Sequence, residues 1–281
     1  MLRIAITGSS GLVGSRIVEL LQSEFEFIKL AHADLDLTKK ISVRENLKNL
    51  DYDMLLHLAG YTKVNEAEKE KELAYALNVE GTRNLFEATR ERDKKLIYIS
   101  TDFVFDGIRG ENRPPYFEDS EPNPLGYYAL TKYEGEKVLN GQAMIVRISY
   151  PYRANYSEKK DFIRSIRSRL EMGKTLKMVT DALITPTFID DVAFALRYLF
   201  NNYSPEIFHI VGSNSLSPFA AAKLIANTFY LNESLIFPKT FQEYSLGKAK
   251  RSQYSEIKSK KNNFYKMIGL EEGLREIKKQ I

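Results

Sequence analysis

The chain has 281 residues, 43% hydrophobic and 28% charged, the balance of a soluble globular protein large enough for one big domain or a domain with a smaller lobe. It has no cysteine, which excludes disulfides, thiol catalysis and thiolate metal sites and fits a reducing compartment. The formal charge of +4, with both signs interspersed, suits small anionic ligands and leaves no nucleic-acid footprint, and no apolar run is long enough to cross a bilayer.

Met1 to Ile6 runs straight into a strand, Arg3 to Thr7, which leaves no room for a signal peptide. The strand ends in Gly8-Ser9-Ser10-Gly11-Leu12-Val13-Gly14, and Ile17, Val18, Leu20 and Leu21 then recur at helical spacing. Strand, glycine turn and helix open a dinucleotide-binding unit. In that reading Gly8 makes the tight turn, Gly11 lets backbone approach a pyrophosphate, and Gly14 lets the helix lie close on the strand. Ser10, Leu12 and Val13 belong to the same cofactor contact. The helix N-terminus adds free N–H groups and a positive dipole end.

Phe25 to Leu30 is a second strand. A carboxylate at its tip would take the adenine ribose 2′-hydroxyl and favour NAD. The residues there are Ala31 and His32, with Asp34 and Asp36 following; Asp34 lies ~20 residues past the last glycine, near the usual offset. A neutral tip leaves room for a 2′-phosphate, so the reading favours NADP, with NAD the alternative. His32 reads either as a neighbour of that phosphate or as a surface loop residue.

Asp53 to Ala59 is a near-continuous apolar run, as a buried parallel strand should be. Leu58, Ala59 and Gly60 then form a small-residue turn where backbone can approach a cofactor. His57, inside the strand, reads as a core histidine. A helix follows from about Glu66 to Thr89, broken or bent near Gly81. Lys95 to Ser100 is the next strand, ending in Ser100-Thr101-Asp102. Ligands bind at the carboxyl ends of strands in open α/β sheets. Thr101 is therefore placed to hydrogen-bond a substrate oxygen, with a plain strand-end hydroxyl as the bland alternative.

A long loop, Phe103 to Leu125, carries Pro114, Pro115, Pro122 and Pro124. Gly126-Tyr127-Tyr128-Ala129-Leu130-Thr131-Lys132 then starts a helix with Tyr128 and Lys132 on one face. An ammonium beside a phenol favours the phenolate and suits proton transfer near neutral pH. Tyr133 with Lys137, Tyr156 with Lys160 and Tyr254 with Lys258 repeat the spacing, so context selects Tyr128. Further on come a strand, Ala143 to Ser149, helices from Phe162 to Met172 and Phe188 to Phe200, and a strand, Ile207 to Val211. A Ser-capped helix from Ser215 to Phe229 and an amphipathic helix from Glu271 on complete the chain. Lys248 to Lys261 is basic and reads as a solvated face. Lys250 and Arg251 within it read either as a diphosphate clamp or as surface charge.

Together these motifs resemble the extended short-chain dehydrogenase/reductases, and within them the dTDP-4-dehydrorhamnose reductase family. The matching segments are Thr7 to Gly14, Asp36-Leu37-Thr38, Ala59 to Val64 with Ala67-Glu68, and Leu73 to Asn78. Ser100 to Gly107 is the most specific, and Pro124 to Glu136, Thr185-Pro186-Thr187 and Ala249 to Ser252 follow. The resemblance implies an α/β fold: a Rossmann doubly wound parallel sheet with a smaller C-terminal substrate-binding lobe. The dinucleotide domain would span 1–150 with help from about 187–213, and the lobe 151–186 and 214–281.

It also implies NAD(P)H-dependent reduction of the 4-keto group of a nucleotide-linked 6-deoxysugar, dTDP-4-dehydro-6-deoxy-L-mannose to dTDP-L-rhamnose. Thr101, Tyr128 and Lys132 would be catalytic. Asp36, Leu37 and Tyr61 would flank the cofactor, and Thr62, Val64, Asp102, Phe103, Tyr150 and Arg251 the dTDP-sugar. The implied enzyme is cytoplasmic, a monomer or homodimer, with no nucleic-acid or membrane partner. There are departures: Tyr150 stands where the family has tryptophan, Pro151 and Arg153 differ nearby, and Asn65 replaces a common acid. Ser15 stands where an acid of a metal-bridged dimer would, so no metal is expected. Two other readings stay open, another nucleotide-sugar epimerase or reductase, and an NADP-binding regulatory subunit like that of methionine adenosyltransferase. The tip of the second strand generates a test: the Michaelis constant for NADPH should lie below that for NADH, and a clear NADH preference refutes the reading.

Overall fold

The computed structural model describes residues 1–33, 35–108 and 114–281, so Asp34 falls outside the described residues. β1 (Arg3–Thr7), β2 (Glu26–Leu30), β3 (Met54–His57), β4 (Lys95–Thr101), β5 (Met144–Ile148) and a last strand, Ile207–His209, form one parallel sheet. Their order is β2-β1-β3-β4-β5 and then Ile207–His209. The chain leaves β1 for β2 on one side and for β3 on the other. The crevice between β1 and β3 is thus the topological switch point, where such sheets bind ligands.

Side chains alternate between the two faces, and helices cover both, which makes the sheet doubly wound. On one face Ile4, Ile6, Met54, Leu56, Ile97 and Val146 meet α1 (Gly14–Leu21) and the Ile189–Asn201 helix. On the other, Ala5, Leu55, Leu96 and Tyr98 meet α2 (Lys40–Lys48) and the Gly81–Arg90 helix. β3 is buried along its whole length, whereas β2, at the sheet edge, exposes Glu26 and Lys29.

The helix expected from Glu66 to Thr89 is in fact four short pieces. A 3₁₀ turn at Glu66–Glu68 and an α-helix at Lys71–Tyr75 precede a widened π turn at Ala76–Glu80 and the helix from Gly81. The bend thus sits just before Gly81, where a Cβ would come within 3.0 Å of Leu37 Cβ. α2 carried too few apolar residues to be read from periodicity. The cap of the Pro218–Thr228 helix is Ser217, whose hydroxyl accepts from Ala220 N at 3.1 Å, rather than the expected Ser215. Two-residue strands, Pro151–Tyr152 and Thr187–Phe188, pair beside the main sheet, and Leu176–Val179 pairs with Ile236–Lys239. Segments that short hold no period to read. Around them a separate core gathers Tyr152, Ile163, Ile166, Phe188, Ile225, Leu270 and Leu274.

Arg147 on β5 and Glu136 on the Tyr127–Val138 helix form a bidentate ion pair, at 2.9 and 2.6 Å, with side chains only 2% and 3% exposed. Arg147 also lies 5.1 Å from the Phe105 ring, which stacks on Tyr116 at 4.4 Å. The pair therefore ties the helix and the long loop to the sheet. Breaking a buried pair strands a charge and typically costs about 3–5 kcal/mol, whereas an apolar replacement of both partners is often neutral. Arg147→Met should lower stability by about that amount, and Arg147→Met with Glu136→Leu should recover most of it, as read by denaturant unfolding.

Candidate active site

The end of β1 and the start of α1 make a tight glycine turn. Gly8 has φ +71°, and a Cβ on it would fall 2.8 Å from Ala59 N. A Cβ on Gly14 would fall 2.3 Å from Gly8 O, so α1 starts pressed against the turn. Only glycine meets the first demand without strain and the second without a clash. Beneath the turn, Thr7 Oγ1 lies 2.7 Å from His57 Nδ1, and His57 Nε2 lies 3.2 Å from Thr82 Oγ1. Burial drives the His57 pKa down to about 3, with Lys132 adding to the effect, so this ring is a neutral core group as expected.

A cleft of about 790 Å³ opens from this turn and runs across the sheet's carboxyl end to Arg251. It gathers every residue assigned above to cofactor, catalysis or substrate except Asp36 and Lys250. The Asp36 carboxylate accepts from Thr38 Oγ1 at 2.7 Å and Thr38 N at 3.0 Å, which hold its pKa down, and it pairs with Lys39. It serves its own turn, and neighbouring Leu37 reaches the cleft instead.

Several cleft residues escaped the sequence reading. Asn78, 1% exposed, receives Tyr61 N at 2.7 Å and donates to Thr131 Oγ1 at 2.9 Å, joining the Gly60 turn to the Tyr127–Val138 helix. Tyr156 donates to Ser10 O at 2.7 Å from a segment almost 150 residues away, a contact no local pattern signals. Ser100 lines the cleft, and its hydroxyl is buried without a hydrogen-bond partner.

Thr101 ends β4, beside Ile148 of β5. Its hydroxyl donates to Asp102 Oδ1 at 3.1 Å and accepts from Phe103 N at 3.3 Å. Gly126 precedes the first turn of the helix that carries Tyr128, whose ring meets Phe103 edge-on at 5.7 Å. The phenol's pKa is raised, by burial first and the charge of Asp102 second, with Thr101 opposing. Lys132 Nζ donates to Ile99 O at 2.9 Å and sits 4.0 Å from the Tyr98 ring centroid. Burial lowers its pKa to about 7.

This corrects the expectation of an ammonium that lowers a neighbouring phenol. Both groups are buried, and desolvation is the largest cause of each shift. Asp102, 2% exposed, is pushed up to about 6 by burial, against hydrogen bonds led by that from Ser255.

At the far end Arg251 donates to Tyr244 Oη at 3.1 Å and Ala249 O at 3.2 Å, and to Asn65 Oδ1. These partners are neutral, so Asn65 holds the guanidinium without cancelling its charge. Lys250 does not share the cleft: it is exposed and lines a separate surface hollow with Lys248. Arg153, expected near the sugar, instead reaches Ser15 Oγ at 2.9 Å and Glu19 at 2.9 Å on α1. Tyr150 does line the cleft, with φ +40° and its ring edge-on to Phe162 at 5.8 Å. Among the described residues, no group of three or more His, Asp or Glu is arranged to hold a metal ion.

Residues 2–279 match the family model described as RmlD substrate binding domain. The chain belongs to the dTDP-4-dehydrorhamnose reductase family. A dTDP-4-dehydrorhamnose reductase from Sinorhizobium fredii is 29% identical over 81% of this chain and 78% of its own. A dTDP-4-keto-6-deoxy-D-glucose reductase from Streptomyces niveus is 30% identical over 74% and 72%. The crystal structure of a Bacillus anthracis dTDP-4-dehydrorhamnose reductase in complex with NADP superimposes with TM-score 0.91 over 100% of both chains, at 30% identity. The chain thus has the extended short-chain dehydrogenase/reductase fold of this oxidoreductase family, and the Bacillus anthracis relative holds NADP in that fold.

The buried lysine has a consequence for stability. Its pKa falls from 10.5 unfolded to about 7 folded. Its contribution is full above the unfolded value and is lost as pH falls towards 7, because the unfolded chain binds the proton more tightly. Lys132→Met should therefore flatten the rise in unfolding free energy between pH 7 and pH 10 and stabilise the protein at neutral pH, while abolishing turnover.

Proposed function

We propose that the protein reduces the 4-keto group of dTDP-4-dehydro-6-deoxy-L-mannose with NADPH, yielding dTDP-L-rhamnose. The observation that carries this is the meeting of Thr101 and Tyr128, at the end of β4, with the glycine turn in one cleft. The cofactor fits what lines that cleft: a turn whose three glycines put no side chain between backbone and ligand, and the buried, unpartnered Ser100 hydroxyl. Gly8, Gly11 and Gly14 would hold the dinucleotide by their backbone, with His32 and Leu37 towards its adenosine end.

A bound reduced nicotinamide supplies the hydride to the carbonyl carbon. Tyr128 supplies the proton to the carbonyl oxygen. Its raised pKa keeps the phenol neutral and protonated at neutral pH, with a proton to donate. Thr101 hydrogen-bonds the same oxygen as negative charge builds on it. Lys132, with its pKa about 7, is divided between its two forms at neutral pH. An anionic ligand in the cleft favours the ammonium, and the ammonium then favours the phenolate left by proton transfer. Arg251 faces the diphosphate of the sugar nucleotide, and Thr62, Val64, Phe103 and Tyr150 flank the sugar. In this reading 1–150 with 187–213 hold the cofactor, and 151–186 with 214–281 close over the substrate. The reaction belongs to the cytoplasm, run by a monomer or homodimer; among the described residues no helix is long and apolar enough to cross a membrane.

Tyr150, in place of the family's tryptophan, favours one second reading, a different dTDP-4-keto sugar. Retention of Thr101, Tyr128 and Lys132 together in the cleft speaks against a regulatory subunit that has lost catalysis. Loss of reduced-nicotinamide absorbance, with dTDP-4-dehydro-6-deoxy-L-mannose and dTDP-4-keto-6-deoxy-D-glucose offered separately, tests the choice. Turnover of the first should exceed that of the second, and Tyr128→Phe should lower kcat by ~10²–10⁴-fold while NADPH still binds. Silence with both sugars overturns the proposal.

A further inference from the structure

We propose that Ser255 is a positioning residue that acts through Asp102 to make the Thr101 hydroxyl available to the reacting oxygen. The inference rests on the reduction proposed above.

Thr101 has a single hydroxyl proton. In the structure that proton points at Asp102 Oδ1, 3.1 Å away, while Phe103 N–H occupies a lone pair at 3.3 Å. A hydroxyl that gives its proton to a carboxylate cannot give it to a substrate oxygen at the same time. Whatever restrains Asp102 therefore decides what Thr101 can do.

The leading restraint, ahead of the Ser149 hydroxyl, comes from the C-terminal segment. Ser255 Oγ donates to Asp102 Oδ2 at 2.8 Å, a shorter bond than that from Thr101 and one made across 153 residues of sequence. Ser255 is 4% exposed and Asp102 2%, so no bulk water competes. The backbone of Ser255 is fixed on both sides: its N–H donates to Leu183 O at 2.8 Å, and its carbonyl accepts from Thr185 Oγ1 at 3.2 Å. A well-held donor on Oδ2 stops the carboxylate from turning to shorten its bond to Thr101. The Thr101 proton stays loosely shared and can swing to the substrate oxygen as charge develops there. No covalent bond changes at Ser255.

The same hydroxyl leads the hydrogen bonds that keep Asp102 from rising further. The charge of Asp102 in turn raises two phenols that face it, Tyr128 on the Tyr127–Val138 helix and Tyr150 after β5. Both phenols have raised pKa values and stay neutral through the range in which Asp102 titrates.

Ser255→Ala should lower kcat about tenfold, the size of one lost hydrogen bond to a charged group, and leave the KM for NADPH within about twofold. Ser255→Thr, which keeps the hydroxyl, should retain most of the rate. In an Asp102→Asn background Ser255→Ala should cost little more, because its route of action is gone. In the free protein, the ¹³C titration of the Asp102 carboxyl, identified by its loss in Asp102→Asn, should move to higher pH in Ser255→Ala. Equal losses in both backgrounds, or an unmoved carboxyl titration, overturn the role. A wild type without turnover overturns the reduction and this role with it, whereas an active wild type and an equally active Ser255→Ala overturn the role alone.

Discussion

The ion pair between Arg147 and Glu136 is the contact on which the arrangement of the site depends. It joins β5 to the helix that carries Tyr128 and Lys132, in an interior that excludes water. Glu136 lies one turn past Lys132, so fixing it fixes the helix in rotation as well as position. Asn78 adds a second tether through Thr131 at 2.9 Å, which ties the same helix to the Gly60 turn. The tyrosine is thereby held against the end of β4 by groups that take no part in the chemistry. Preorganisation of this kind lets a proton donor meet a reacting oxygen without a search.

Burial then sets the electrostatics. Tyr128 is raised, Lys132 lowered and Asp102 raised, in each case mainly because the charged form has lost its water. The protein thus rests with its acid protonated and its lysine poised between forms. Both states suit a site that must give up a proton and then stabilise the anion that remains. Holding an ionisable lysine in such a place costs stability, and functional sites commonly carry that cost.

The cleft is built from distant parts of the chain. The glycine turn and the Leu58-Ala59-Gly60 turn come together because β1 and β3 are neighbours at the switch point. Tyr156 reaches Ser10, and Arg153 reaches Leu12 and Ser15, from a segment that leaves the sheet after β5. Ser255 reaches Asp102 from near the other end of the chain. The second core, around Ile163, Ile225 and Leu274, supports the elements from which several of these contacts are made.

The sequence by itself determined the local chemistry. Glycine spacing, a run of apolar residues ending in Ser100-Thr101-Asp102, and a tyrosine and lysine one turn apart each encode a backbone shape or a helix face, because they act over a few residues. Tertiary structure alone decided where the side chains on those frames point. Lys132 turns to Ile99 O and the Tyr98 ring, Asp36 folds back on Thr38, and Arg153 leaves the sugar end for α1. Of Lys250 and Arg251, adjacent and both cationic, only the second enters the cleft. Those outcomes follow from burial and from partners remote in sequence, and spacing along one chain carries no information about either.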